Sequence, residues 1–396
     1  MISYKQALNL VLKNTFIKDT ETIDLKNSFN RVLAQDIYSD IDNPGFNRVT
    51  MDGYAVRKKD IINLPHELSV VQTIGAGEVA NRIFKKNQAA KIMTGCVLPK
   101  GLDRVIKFED TISPREGVVK ILKLPKEKNI SYCGKIFKKQ EKVLSKNDVI
   151  NAPKISLLSS VGKNKVMVYQ RPRVCLFATG NELVESDKKI KFSQVRNSTG
   201  PMLVSLLENL GIEIKYLGIA KDDFKEIINK IKQALNYDIV IILGGVSAGI
   251  FDYVPKILEE LGVKKIFHRV SIKPGKPLWF GRRNKTLVFG LPGNPVSSYL
   301  TFLLFIKPAI LKIKGQEDLD KKFYKAKLIN NFKINTDRLT FYPAYINYKK
   351  ENFYIKPSNY YDSSDMKAVT KSNGFLVQKK GKFFLKKNQK VDFIFI

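Results

Sequence analysis

Apolar positions at the start of the chain recur at helical spacing: Tyr4, Leu8, Val11 and Leu12 share one face, and Ser3 with Gln6 reads as a capping box ahead of them. The first forty residues therefore read as a helix followed by extended chain. From about Ile41 to Lys139 the period shortens. "ELSVVQTIG", "DRVIKFED" and "GVVKILKL" alternate between Gly, Pro and Asn punctuation, which predicts a small all-β unit. "VLSKNDVINAPKISLLSSVG" reads as a loop with a short helix that returns toward the first segment.

After "YQRPRV" at 169–174 the pattern becomes strand, helix, strand. "RVCLFATG" predicts a buried strand. "NSTGPMLVSLLENLG" predicts a helix with Pro201 near its start, Leu203, Leu206, Leu207 and Leu210 on one face, and Gly211 as a stop. "IEIKYLGIA", "DFKEIINKIKQAL", "DIVIILGG" and "VPKILEELG" continue the alternation, and "NKTLVFGLPGNP" adds a strand and turn before a long apolar helix from about Pro295 to Lys314. Such alternation needs right-handed crossovers and gives a mostly parallel sheet covered on both faces. The expected fold class is multidomain α/β plus β. An extended helical segment spans 1–40 with 140–170, an inserted β unit 41–139, a mostly parallel α/β sandwich domain 171–318, and a C-terminal β barrel-like domain 319–396.

At 396 residues the chain is too long for one ordinary core, which agrees with several domains. No uninterrupted apolar run reaches the roughly 18 residues needed to span a bilayer, and "MISYKQALNLVL" lacks a signal-peptide layout, so a cytoplasmic protein without a membrane partner is expected. Cys96, Cys133 and Cys175 are odd in number and far apart, and with only two histidines neither a disulfide framework nor a zinc site is expected. His66 and His268 read as structural or surface residues. The formal charge of +32 admits polyanionic partners. Lysine, however, is abundant in every segment, as a biased composition would give. Only "KKGKFFLKKNQK", 379–390, resembles a nucleic-acid footprint, and an exposed hairpin with lysines on its solvent face explains it as well. Nucleic acid is not an expected partner.

In a doubly wound sheet the ligand lies outside the carboxyl ends of the strands. That rule selects Glu182 in "TGNEL", Asp222 and Asp223 in "AKDD", and Asp252 in "GGVSAGIFDY". A single strand-end carboxylate is as often a helix cap as a ligand. Three from adjacent strand ends suit a divalent cation or polar substrate held between them. "KPGKP" adds Lys273 and Lys276, and "LPGNPVSS" runs into a helix whose first N–H groups make an anion site. Together these describe a crevice for a phosphate or oxyanion, on a nucleotide-like molecule. In the β unit, Asp52 precedes Gly53 and Thr94 precedes Gly95, pairs that ordinary turns also use. "GAGEVA", 75–80, matches a loose dinucleotide pattern but lies in the β unit, outside any strand–helix–strand context, and is rejected.

The motifs "MDGYA", "IMTG", "TGNEL", "RNSTGPML", "GGVSAGIFDY", "KPGKP" and "LPGNPVSS", in this order over nearly the whole chain, resemble the molybdopterin molybdenumtransferase family, bacterial MoeA and the E domain of gephyrin. The resemblance implies insertion of molybdenum from molybdate into adenylylated molybdopterin, with Mg2+ as cofactor and AMP released. It makes 171–318 the molybdopterin-binding domain and 1–40 with 140–170 the dimerisation segment of a homodimer. Contacts with the adenylyltransferase and with apo-molybdoenzymes are further implied partners. Carried over residue by residue, it implies catalytic roles for Asp52, Thr94, Glu182, Asp222 and Asp252, with Mg2+ on some of Glu182, Asp222 and Asp252. It also implies substrate and anion contacts at Gly244, Gly245, Ser247, Lys273, Lys276, Pro292, Gly293, Asn294, Pro295 and Ser363. The chain departs from the pattern at "SYCGKIFKK", 131–139, where an Arg and an Asp are expected and Tyr132 or Cys133 and Ile136 stand. Two readings follow: Lys135 or Lys138 replaces the arginine in a working site, or the chain is a catalytically weak or inactive paralogue that acts as a molybdopterin-binding or scaffold protein.

Overall fold

The computed structural model describes residues 1–246, 253–319 and 322–396. At its centre is a six-stranded sheet in the order Glu213–Ala220, Arg173–Thr179, Ile239–Leu243, Thr286–Leu291, Trp279–Arg283 and Lys264–His268. The first four strands are parallel, with helical crossovers leading from Arg173–Thr179 to Glu213–Ala220 and from there to Ile239–Leu243. The last two are antiparallel, because Trp279–Arg283 turns straight back into Thr286–Leu291 through Asn284 and Lys285. From Arg173–Thr179 one connection leads outward to Glu213–Ala220, and the next strand, Ile239–Leu243, lies on the opposite side. The chain therefore switches direction between those two neighbours and opens a crevice at their carboxyl ends.

Both faces of the sheet are covered, which is why its strands read as nearly continuous apolar runs. Val174, Leu176 and Ala178, with Ile239, Ile241 and Leu243, face the helices Thr199–Asn209 and Pro295–Ile313. Their alternates Cys175, Phe177, Val240 and Ile242 face the helices Phe224–Ala234 and Val254–Glu260. The first helix, Tyr4–Asn14, has its predicted capping box. Although joined in sequence to the extended segment, it buries Tyr4, Ala7, Leu8 and Val11 in this same α/β core, where its apolar stripe finds the long helix.

Pro295–Ile313 is long and apolar enough to cross a membrane by length and composition, but 83% of that window is buried inside the protein, as a central core helix must be. Between Phe302 and Ile306 it widens to a π turn, with the Lys307 N–H donating to the Phe302 carbonyl. Pro308 accounts for this. It lacks an N–H for the carbonyl four residues back, and the wider turn moves that carbonyl away from the proline ring.

The extended segment Thr20–Asp24 pairs with Lys165–Tyr169, and Ile37–Tyr38 with Lys142–Leu144. Ser39 exchanges backbone hydrogen bonds with Gln140 and Glu141, so the chain between them leaves and returns through a two-stranded neck. That intervening part holds a second six-stranded sheet, centred on Gly53–Val56, Gln88–Ile92 and His66–Ile74. At the other end of the chain, Tyr324–Leu328, Asn352–Pro357, Leu339–Lys349, Gly374–Gln378 and Lys390–Phe395 pair in a ring, a closed five-stranded barrel. The hairpin expected at 379–390 does not form: Gly381–Leu385 pairs with Phe332–Thr336, and Lys390–Phe395 enters the barrel, because burying Val391, Phe393 and Ile394 outweighs a local turn.

Where the extended segment meets the α/β unit, Arg31, Arg171 and Lys314 lie near one another, and Arg31 pairs with the carboxylate of Glu21. The ammonium of buried Lys314 donates to the Leu210 carbonyl at 3.0 Å, at the end of the helix Thr199–Asn209. Burial, with Arg171 and Arg31 nearby, pushes its pKa down to about 8.

Candidate active site

The crevice at the switch point holds a cleft of about 520 Å³, lined by the strand ends Thr179, Gly180, Leu243, Gly244 and Gly245, by Glu182 and Asp222, and by two helix starts. One helix start contributes Asn197, Ser198 and Thr199, the other Gly293, Asn294 and Pro295. Ser198 and Asn294 are residue types that normally cap a helix, yet neither side chain caps its own. The Asn294 amide instead donates to Ser363 Oγ at 2.6 Å, and the Ser363 carbonyl accepts the Val296 N–H at 3.1 Å. Two positive helix ends thus meet at one cleft, an arrangement that attracts anions.

Small hydrogen bonds hold these walls. Thr199 Oγ1 donates to the Gly293 carbonyl at 3.1 Å, tying the two helix starts together. The Asn197 amide donates to the Tyr216 hydroxyl at 2.7 Å, its oxygen accepts the Gly200 N–H at 3.0 Å, and Tyr216 donates to Glu185 at 2.9 Å. Burial and the adjacent Glu185 push the Tyr216 phenol well above its usual range, so it stays a protonated strut. Asn181 and Asp222 exchange backbone-to-side-chain bonds of 3.1 and 3.2 Å across the switch point.

Gly244 and Gly245 have φ of +84° and +64°, and a Cβ on Gly244 would lie 2.7 Å from the Thr179 carbonyl oxygen. Only glycine makes this shelf, and it lets a flat ligand approach bare backbone. Beneath it Thr179 Oγ1 is buried without a hydrogen-bond partner, which leaves one polar group over for whatever fills the cleft.

Of the residues selected from sequence, Glu182, Asp222, Gly244, Gly245, Gly293, Asn294 and Pro295 line this cleft. Pro292 lies behind the turn, its carbonyl accepting the Ser298 hydroxyl, and Ser363 braces the helix start while its neighbour Ser364 reaches the cleft. Ser247 and Asp252 lie outside the described residues. Asp223 is a helix cap, accepting the Glu226 N–H at 2.9 Å. Lys273 and Lys276 are not among the lining residues. Both are exposed, and their loop packs through Gly275 against Thr301 of the long helix, because Ile272–Lys273 is drawn into pairing with Leu339 and Thr340. Thr179, Asn197, Ser198 and Thr199 were missed; the run "NSTGP" of capping residues ahead of a helix was the available signal.

Asp52 and Thr94 come together away from this cleft. Asp52 Oδ1 accepts the Thr94 N–H at 2.6 Å and hydroxyl at 2.7 Å, and these bonds hold its carboxyl below the usual range. At the divergent loop, the Asp42 carboxylate accepts the Lys139 N–H at 2.7 Å and lies 3.6 Å from the Cys133 thiol. That loop therefore contains a carboxylate, supplied from another part of the chain.

A doubly wound sheet with a glycine shelf and two helix starts at its switch point defines an α/β protein with a ligand-sized crevice at the carboxyl ends of its strands. Residues 175–312 match a family described as a probable molybdopterin binding domain, residues 2–162 the MoeA N-terminal region (domain I and II), and residues 325–396 the MoeA C-terminal region (domain IV). A molybdopterin molybdenumtransferase of Staphylococcus epidermidis is 33% identical over 399 residues, covering 99% of this chain and 95% of the relative; one of Staphylococcus aureus is 32% identical over 398. A solved structure of the molybdopterin biosynthesis MoeA protein from Pyrococcus horikoshii OT3 superposes with a TM-score of 0.84 at 29% identity, over the whole of both chains. The chain belongs to the molybdopterin molybdenumtransferase family and is a transferase of molybdenum cofactor biosynthesis.

Proposed function

We propose that the chain inserts molybdenum from molybdate into adenylylated molybdopterin and releases AMP, in the cleft at the switch point. The meeting of two helix starts, neither capped by its own Ser198 or Asn294 side chain, beside a glycine shelf carries this reading, since it offers fixed positive ends for phosphate and bare backbone for a flat ring. Thr179 Oγ1 offers the ring's polar edge a partner.

The carboxylates fit Mg2+, which is held by one or two carboxylates plus water and substrate phosphate. Glu182 and Asp222 provide hard oxygens in the cleft, and no larger cluster of acidic, His or Cys side chains occurs among the described residues. When bound there, Mg2+ supplies charge neutralisation at the phosphate. The protein's own contribution is positioning: the Thr199–Gly293 bond fixes the spacing of the helix starts, and Asn181 fixes the side chain of Asp222. Lys273 and Lys276, exposed and outside the cleft, act as a long-range attraction for molybdate.

Asp52 and Thr94 serve the cleft of a second copy. Support comes from the exposed Ile41, Phe46, Met51, Tyr132 and Ile136, carried on segments that run beside one another around Asp42 and Asn47. Burying such residues against another copy would remove a costly apolar surface from water.

The test is AMP release from adenylylated molybdopterin with Mg2+, with and without molybdate and in parallel with tungstate. Release that depends on the oxyanion supports the proposal. Tight substrate binding without release refutes it in favour of a scaffold.

A further inference from the structure

The C-terminal barrel carries a second cavity of about 520 Å³ whose lining has no part in the reaction above. Three lysines, Lys356, Lys367 and Lys371, stand around it, and among the described residues none of them is ion-paired. Its single carboxylate, Asp365, is already engaged, accepting the N–H groups of Tyr361 and Ala368. Two tyrosines complete the wall, Tyr361 at 91% exposure and Tyr345 at 52%.

Lysines alone would follow from a chain with 69 basic residues. The tyrosines would not. A phenol ring left in water beside three unpaired ammonium groups has a specific chemical complement: a planar ring to lie on the phenol and a phosphate for the lysines. The volume accommodates one such molecule. The cavity also shares a wall with the active-site cleft, because Asn359, Tyr361 and Asp365 face it while Ser363 and Ser364, on the same loop, brace the helix start and reach the cleft.

From this we propose that the barrel cavity is a separate mononucleotide site, taking the ring against Tyr361 and Tyr345 and the phosphate between Lys356, Lys367 and Lys371. It is independent of the catalytic reading. Occupancy bears on the Ser363 loop through Tyr361.

AMP is the probe. Calorimetric titration of the full chain is expected to show binding at two sites, and 8-azido-AMP is expected to crosslink within residues 345–371. Tyr361→Ala should weaken only the barrel site, by roughly 5- to 150-fold given the usual worth of one base stacked on one aromatic ring. The double variant Lys367→Ala/Lys371→Ala should weaken it too. Both changes are at exposed positions, so folding is retained and is checked by Trp279 fluorescence. AMP binding that Tyr361→Ala leaves unchanged, crosslinks confined to the cleft, or inorganic phosphate binding as tightly as AMP would each overturn the proposal. Oxyanion-dependent AMP release, measured on the same variants, separates the two readings: its absence with Tyr361-dependent AMP binding intact refutes catalysis alone.

Discussion

Lys314 is the sharpest test of the energetics, because it is a buried cation among cations. Its ammonium has two arginines nearby, Arg31 and Arg171, and its one hydrogen bond is to the Leu210 carbonyl. A lysine with an ordinary pKa of 10.5 in the unfolded chain and about 8 in the folded one holds its proton less tightly when folded. The unfolded state therefore binds more protons between those values, and stability must rise with pH across that window and level off below it. The total is about 3 kcal/mol, of which roughly 2.5 kcal/mol is gained between pH 7 and 10. In Lys314→Met this contribution disappears, so the stability of the native chain relative to the variant should climb by that amount over the same range. Comparing the two at each pH cancels the other lysines. The chain has a single tryptophan, Trp279, buried in the α/β unit, so denaturant unfolding followed by its fluorescence reports the unit that Lys314 belongs to. A difference that stays constant from pH 7 to 10 would refute the reasoning and mean that water or an anion reaches the ammonium.

Two adjacent carboxylates should behave oppositely: Asp223→Ala loses a helix cap and about 1 kcal/mol of stability with turnover retained, whereas Asp222→Ala leaves stability nearly unchanged and abolishes AMP release. Equal effects on turnover would reject the assignment. Gly244→Ala forces a side chain into the left-handed region and against the Thr179 carbonyl, so roughly 1–2 kcal/mol of stability and most substrate affinity should be lost together, measured by unfolding and by calorimetry. Asp52→Ala and Asp222→Ala should each be inactive alone, yet part of the activity should return when they are unfolded and refolded together, since one cleft of a mixed dimer is then intact. No recovery would place Asp52 outside the shared site.

What could be read in advance follows from which physical signals are local. The apolar stripe of Leu203 and Leu207, the alternating faces of Val174 to Ala178 and the strand-end position of Glu182 and Asp222 are set by chain periodicity and by the rule for parallel sheets. Which of Asp222 and Asp223 turns into the cleft is not periodic. It depends on one caps-or-faces choice at the helix start. The lysine loop lies outside the cleft because Ile272 pairs with the barrel strand, a contact across 67 residues that no local pattern announces. The same limit explains the missing hairpin at 379–390. Asn197, Ser198 and Thr199 were legible in kind, as capping residues, but not in use, since an unused cap looks like a used one in sequence.

The two-stranded neck at Ser39 and Gln140 has a consequence for how this chain can be rebuilt. Because both strands cross at one place, the segment between them begins and ends within hydrogen-bonding distance, and a turn of a few residues could replace it without stretching what remains. The excised piece carries its own sheet and core, so it could be transplanted between relatives as a cassette, with Asp52 and Thr94 travelling inside it. A lineage of such proteins could thus exchange the unit that carries Asp52 and Thr94 while keeping the cleft of the α/β unit.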